Sequence, residues 1–199
     1  MRRKVLTLLF GFTYRHPTIF SVTGKLIFGG KSEIWRDVAS LLVPLEAKVL
    51  ELGCGMNSAV ERGVVVDYSL ALIKAVPPRI SRKRICTSVL ALPFRERAFD
   101  FVLAIFPPGI AADHGFFHQK GFWEELERVL SPSAECIFLV YVSYKSLFWR
   151  FLARVIDPLP GDFWAKTGEL ARGFKISEQT RLDPWGNSLV FVRAVKLDR

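Results

Sequence analysis

The residues best equipped for chemistry stand where apolar runs stop. Val49-Leu50-Glu51-Leu52 runs into Gly53-Cys54-Gly55, and Val64-Val65-Val66 runs into Asp67. A buried strand that must hand the chain to a ligand ends in this way. Glycine has no Cβ, so Gly53 and Gly55 permit a tight turn and close approach of a ligand to the backbone. A carboxylate at the end of the next strand, Asp67, can accept both hydroxyls of a ribose. It can equally cap the helical run that begins at Ser69. A third group, Asp113, His114 and His118, follows the fourth apolar run. One of these can serve as a general base toward a bound substrate. They can also form a solvated loop with Asp113 as a cap, and as a metal site they lack further ligands, so no metal is expected.

Positioning these residues requires a sheet. Apolar runs predict strands at 48–52, 64–67, 84–88, 99–106 and 136–142, and two more at 175–182 and 189–195, joined through Pro184-Trp185-Gly186-Asn187. Helical patterns lie between them. Ser32 caps a run to Val43, where Pro44 stops it, with Ile34, Trp35, Val38, Leu41 and Leu42 on one face. Others cover 69–76, the stretch Phe122 to Leu130 before the turn Ser131-Pro132-Ser133, the aromatic stretch 147–156, and 163–172. Continuous apolar strands alternating with helices predict an α/β fold: a Rossmann-like, doubly wound, seven-stranded, mostly parallel sheet, with one antiparallel strand near the C-terminus. Ligands bind such sheets at the carboxyl ends of the strands, which brings Thr87 to Leu90, Ile105 and Phe106 to the same edge as Gly53 and Asp67. The basic run Arg79, Arg82, Lys83, Arg84 precedes the third strand and falls at the opposite edge, as a solvated face.

The 199 residues carry 28 Lys and Arg against 19 Asp and Glu, a net charge of +9. Half the residues are hydrophobic, which excludes a disordered chain. The basic excess favours nucleic acid, anionic lipid or an anionic substrate. Cys54, Cys86 and Cys136 are scattered, without metal-type spacing, and read as reduced thiols of a cytoplasmic protein. Arg2-Arg3-Lys4 followed by Val5 to Phe12 resembles a signal peptide but lacks a small-x-small cleavage site. It reads instead as a basic, apolar helix able to rest on the protein or on a membrane surface.

Five motifs in order carry a family resemblance: Val-Leu-Glu-Leu-Gly-Cys-Gly (49–55), Val-Val-Asp-Tyr-Ser (65–69), Leu-Pro-Phe (92–94), Ala-Phe-Asp-Phe-Val (98–102) and Glu-Leu-Glu-Arg-Val-Leu-Ser-Pro (125–132). Together they resemble the class I S-adenosylmethionine-dependent methyltransferases, in the branch that includes quinone and other small-molecule methyltransferases. The resemblance implies one domain, with a helical cap over 1–46 and a cofactor-binding core over 47–199. It implies that Glu51, Gly53, Cys54 and Gly55 hold the methionine part of S-adenosylmethionine and that Asp67 holds the ribose, with Tyr68 beside the adenine. Ser88 and Val89 would line the adenine edge, and Ile105 and Phe106 would approach the sulfonium. Three departures stand out. Ser88 stands where the family often has Asp, so the adenine amino group would lose a charged acceptor. Met56-Asn57 replace the usual third small residue, and the interval from Glu51 to Asp67 is shorter than the roughly 20 residues of dinucleotide folds. The helix after the glycines is therefore expected to be shortened or lost. The aromatic segments 10–28 and 147–164 flank the core and imply a small, apolar, lipid- or quinone-like acceptor, with peripheral membrane contact. The alternatives are an RNA or protein methyltransferase, or a non-catalytic relative that binds the cofactor.

Overall fold

In the computed structural model, which describes residues 12, 15–27, 32–77, 83–105, 116–148, 150–151 and 163–198, the apolar runs form one seven-stranded sheet. Its strands are β1 (Val49–Leu52), β2 (Val64–Asp67), β3 (Lys83–Cys86), β4 (Phe99–Ile105), β5 (Leu130–Ser143), β6 (Phe174–Leu182) and β7 (Ser188–Lys196). Their order across the sheet is β3-β2-β1-β4-β5-β7-β6. The pairs within β3-β2-β1-β4-β5 are all parallel. β7 runs antiparallel to both β5 and β6 and is the one reversed strand.

The helices are α1 (Pro17–Ile27), α2 (Ser32–Ser40), α3 (Leu70–Ala75), α4 (Lys120–Val129) and α5 (Phe163–Leu170), with a 3₁₀ turn at Phe116–His118. Alternation along β1 divides the core. Leu50 and Leu52 face an aromatic layer with Phe117, Phe122, Trp123 and Phe138, whereas Val49 faces Trp35 of α2. Glu51 shares the Val49 face, so its carboxylate is directed toward α2 and is completely buried. Across the sheet, Trp35 Nε1 donates to Asp183 Oδ2 at 2.9 Å, and Asn187 Nδ2 donates to the same oxygen at 2.6 Å. This clasp ties α2 to the β6–β7 hairpin.

Three expectations are corrected. α2 ends at Ser40, and the tighter bonds Leu42 N to Ala39 O and Val43 N to Ser40 O complete the turn, which leaves Leu41 exposed. The third strand starts one residue early and stops at Cys86, and as an edge strand it exposes Lys83 and Arg84. Ser131-Pro132-Ser133 lies inside β5: Leu130 pairs with Phe99 and Glu135 with Phe101, so the intervening residues bulge around Asp100. Ser133 takes a positive φ of 56°, and Ser131 Oγ donates to Asp100 Oδ1 at 2.8 Å.

Two of the family-like motifs meet as a clamp. Arg128 Nη1 and Nη2 donate to the carbonyls of Phe94 and Leu92 at 2.6 and 2.8 Å, and its Nε donates to Glu125 Oε1 at 2.8 Å. Glu125 Oε2 accepts the Leu92 amide at 2.7 Å. Leu-Pro-Phe (92–94) and Glu-Leu-Glu-Arg (125–128) are thus fastened to one another.

Glycine substitutions read the β1–β2 packing directly. At Gly63, φ is +140° and a Cβ would meet Val49 O at 2.6 Å. Gly63→Ala is expected to lower the unfolding free energy by about 1–3 kcal/mol. Gly121 sits in α4 with open space at its Cβ position, so Gly121→Ala is expected to raise stability by about 0.4–1 kcal/mol. Denaturant unfolding of the two variants checks the opposite signs.

Candidate functional site

The carboxyl ends of β1 and β2 bring the glycine loop and Asp67 together. Gly53 and Gly55 both adopt left-handed φ, 62° and 60°. That conformation lets the chain double back onto β2. Gly53 N and Cys54 N donate to Val66 O at 2.9 and 3.3 Å, and Gly55 N donates to Asp67 Oδ2 at 2.9 Å. Asp67 Oδ1 accepts the Ser69 amide at 2.8 Å. Ser69 is itself the cap of α3, its Oγ accepting the Leu72 amide at 3.3 Å. Asp67 therefore supports the helix cap and the loop at once.

Asp67 is 2% exposed. Burial raises its carboxyl above the ordinary carboxylate range, opposed by the amides of Ser69 and Gly55. The Tyr68 amide and the more distant Arg36 charge act on the carboxylate in the same sense as these amides. The ring of Phe20, from α1, lies 3.3 Å from where a Gly55 Cβ would stand. α1 thus roofs the loop.

Glu51 is occupied differently. Its oxygens accept the Ser58 hydroxyl and the Ala59 amide (3.1 and 3.0 Å), and Arg36 Nη1 of α2 stands 3.7 Å away. Between β1 and β2 there is no helix: residues 53–63 form turns and bends. The shortened interval seen in the sequence has this result. Cys54 is buried, and burial followed by the charges of Glu51 and Asp67 pushes its thiol up. Tyr68 is half exposed, its hydroxyl pushed up to about 12 by burial and by Asp67.

The remaining candidates are spread along the same edge. Ser88 is exposed, and its Oγ accepts the Leu90 amide at 3.2 Å; Val89 packs on the core. Ile105 is buried at the end of β4. Phe106, Asp113 and His114 lie outside the described residues. His118 closes the 3₁₀ turn, half-buried, next to α4 and α5. Among the described residues no three His, Cys, Asp or Glu converge as metal ligands. Arg36 and Phe20 escaped the sequence reading. Their partners are distant in the chain, and the visible signal was an arginine beside the core tryptophan Trp35.

The donor set discriminates between cofactors. A dinucleotide needs free loop amides at a helix N-terminus for its pyrophosphate. Here the amides of Gly53, Cys54 and Gly55 are spent on β2, and no helix follows. The loop is short of donors for phosphate and rich in buried carboxylate, which suits a ribose-bearing cofactor with a cationic centre. S-adenosylmethionine, with a vicinal diol and a sulfonium, fits these residues.

Comparison with known proteins agrees. Residues 50–138 match the family described as methyltransferase domain. An uncharacterised protein of Methanocaldococcus jannaschii is 32% identical over 91 residues, a match that covers 41% of this chain and 40% of that protein's length. A Thermotoga maritima S-adenosylmethionine-dependent methyltransferase, described as a possible histamine N-methyltransferase, superposes with a TM-score of 0.64 at 16% identity, over 93% of this chain and 99% of that one. The 16S rRNA (adenine(1408)-N(1))-methyltransferase of Catenulisporales acidiphilia gives 0.58 at 15% identity, over 82% and 91%. Residues 50–138 thus match a methyltransferase domain, and the chain shares its fold with solved S-adenosylmethionine-dependent methyltransferases.

Proposed function

We propose that this protein transfers a methyl group from S-adenosylmethionine to a small, apolar, lipid- or quinone-like acceptor. The observation that carries the cofactor half is Asp67, a carboxylate buried at the end of β2 and bonded to the loop it would share with the ligand. When bound, S-adenosylmethionine supplies an electrophilic methyl on a cationic sulfur. Asp67 holds the ribose hydroxyls, and Gly53 and Gly55 leave room for the rest. In this reading Tyr68, Ser88 and Val89 border the adenine and Ile105 lies toward the methyl, and Phe106, which lies outside the described residues, is assigned the same role from the sequence. The protein's main contribution is orientation. As the acceptor–methyl bond forms, the sulfur–methyl bond breaks. Where the acceptor must lose a proton, Asp113, His114 and His118 are the side chains proposed to take it.

The acceptor half rests on exposed apolar residues at the same edge. After β5, Leu147 is 78% and Phe151 68% exposed, and α1, which roofs the loop, exposes Val22. Lys145 and Arg150 accompany the first group, and Lys25 the second. Apolar residues ringed by cations match an anionic bilayer surface or the acceptor it dissolves. Among the described residues no helix is long and apolar enough to cross a membrane, so the contact proposed is peripheral. The +9 charge and the fold shared with an rRNA methyltransferase favour a second reading, an RNA acceptor.

Calorimetry with S-adenosylmethionine and S-adenosylhomocysteine tests the cofactor. Asp67→Asn is expected to cost about 1.5–3 kcal/mol of binding, roughly a ten- to hundredfold rise in Kd. The ribose needs the carboxylate ionised. Because burial raises the Asp67 pKa, wild-type affinity should fall on acidification before an ordinary aspartate would protonate. The Asn variant should lack that component, which separates it from Glu51, also raised by burial. A folded Asn variant with unchanged affinity would remove Asp67 from the site.

Co-sedimentation tests the acceptor. The protein should pellet with anionic vesicles, and deletion of residues 2–12, or Leu147→Ser with Phe151→Ser, should weaken this while sparing cofactor binding. Each basic residue near the surface contributes about 1 kcal/mol. Tight, salt-sensitive RNA binding without vesicle association would favour the RNA reading.

A further inference from the structure

A glycine loop of this kind ordinarily leans on the helix that follows it, whose first turn supplies backbone donors and a partial positive charge. Here residues 53–63 contain no helix, and the loop needs another support. Arg36 reaches it from α2. Its Nη1 lies 3.4 Å from the Cys54 carbonyl, donates to the Asn57 carbonyl, and stands 3.7 Å from Glu51 Oε1. The side chain is only 16% exposed and that of Glu51 only 1%.

We propose that Arg36 is the positioning residue of the cofactor loop, a single guanidinium that performs from outside the crossover what a helix N-terminus performs within it. This rests on the reading of Gly53–Gly55 as the cofactor loop. A guanidinium stays charged, and here its Nη1 meets two carbonyls and faces the carboxylate. Glu51 then completes the loop from below through Ser58 and Ala59. Burial favours the neutral form of both partners, raising Glu51 and lowering Arg36, and each opposes that shift in the other. Arg36 also acts on Asp67, more weakly than on Glu51. α2 can carry this role because the Trp35–Asp183–Asn187 clasp fixes its other side to the β6–β7 hairpin.

The test compares wild type with Arg36→Lys and Arg36→Met. Amide hydrogen exchange of the free protein reads Gly55, Ala59 and Val60, whose amides are bonded to Asp67, Glu51 and Ser58. Arg36→Lys keeps the charge but lacks the guanidinium nitrogen that meets both carbonyls. Its cooperative unfolding should persist, and exchange at these three amides should rise at least about tenfold while β4 and β5 amides hold their rates. The Kd for S-adenosylhomocysteine should rise at least about tenfold, and more in Arg36→Met. Loop exchange unchanged, or raised only in step with β4 and β5, would overturn the proposal. So would faster loop exchange with unchanged affinity. If Arg36→Met fails to fold, Arg36→Lys decides alone. If wild type binds no S-adenosylhomocysteine, the cofactor reading fails, and loop exchange still decides whether Arg36 orders the loop.

Discussion

Two carboxylates, Glu51 and Asp67, lie buried on neighbouring parallel strands, and an unsatisfied charge in a protein interior is too costly to keep. The chain around them is arranged to meet that cost. Asp67 collects the amides of Gly55 and Ser69, and this forces the left-handed glycine turn and starts α3. Glu51 collects the Ser58 hydroxyl, the Ala59 amide and Arg36, and this shapes the rest of the crossover without a helix. Parallel neighbours usually need a helical connection to cover the sheet. In this protein α2 supplies part of that cover, with Trp35 and Ala39 completely buried over the β1 face.

The consequence is a local environment opposite to the global one. The chain as a whole is strongly basic, whereas the carboxyl edge of β1 and β2 is acidic and almost dry. Its amides are turned inward. The thiols of Cys54 and Cys136 are both pushed up by burial, so neither is a ready nucleophile near neutral pH.

Much of this was legible in the sequence because burial writes in apolar runs. β1, β2 and β4 are nearly continuous hydrophobic segments, and their order gave the sheet. The glycine turn was legible because two glycines one residue apart after an apolar run allow a left-handed turn, and Asp67 because it ends the next run, although the sequence left it open whether it serves a ligand or the α3 cap. Even the missing helix could be read, from the short interval between Glu51 and Asp67. What stayed hidden was set by distant partners. Nothing near Arg36 announces that its guanidinium will meet carbonyls at Cys54 and Asn57. The Ser-Pro-Ser stretch looked like a turn, and only pairing with β4 draws it into β5 as a bulge around Asp100. Leu41 fit the helical period of α2, but the helix had already tightened and stopped.

The clasp between Trp35 and Asp183 spans 148 residues of sequence. Contacts of such separation form late, because a long loop must close before they return any free energy. β5 likewise gains its outer neighbour only when β7 arrives, the last strand in the chain and the one inserted between β5 and β6. During synthesis, therefore, the glycine loop exists long before the elements that hold α2 against it. The nascent chain passes through a state in which strands β1 to β4 have been made while Trp35 still lacks its acceptor. Completion of the hairpin supplies that acceptor, so the contact that fixes α2 depends on the last strands to be made.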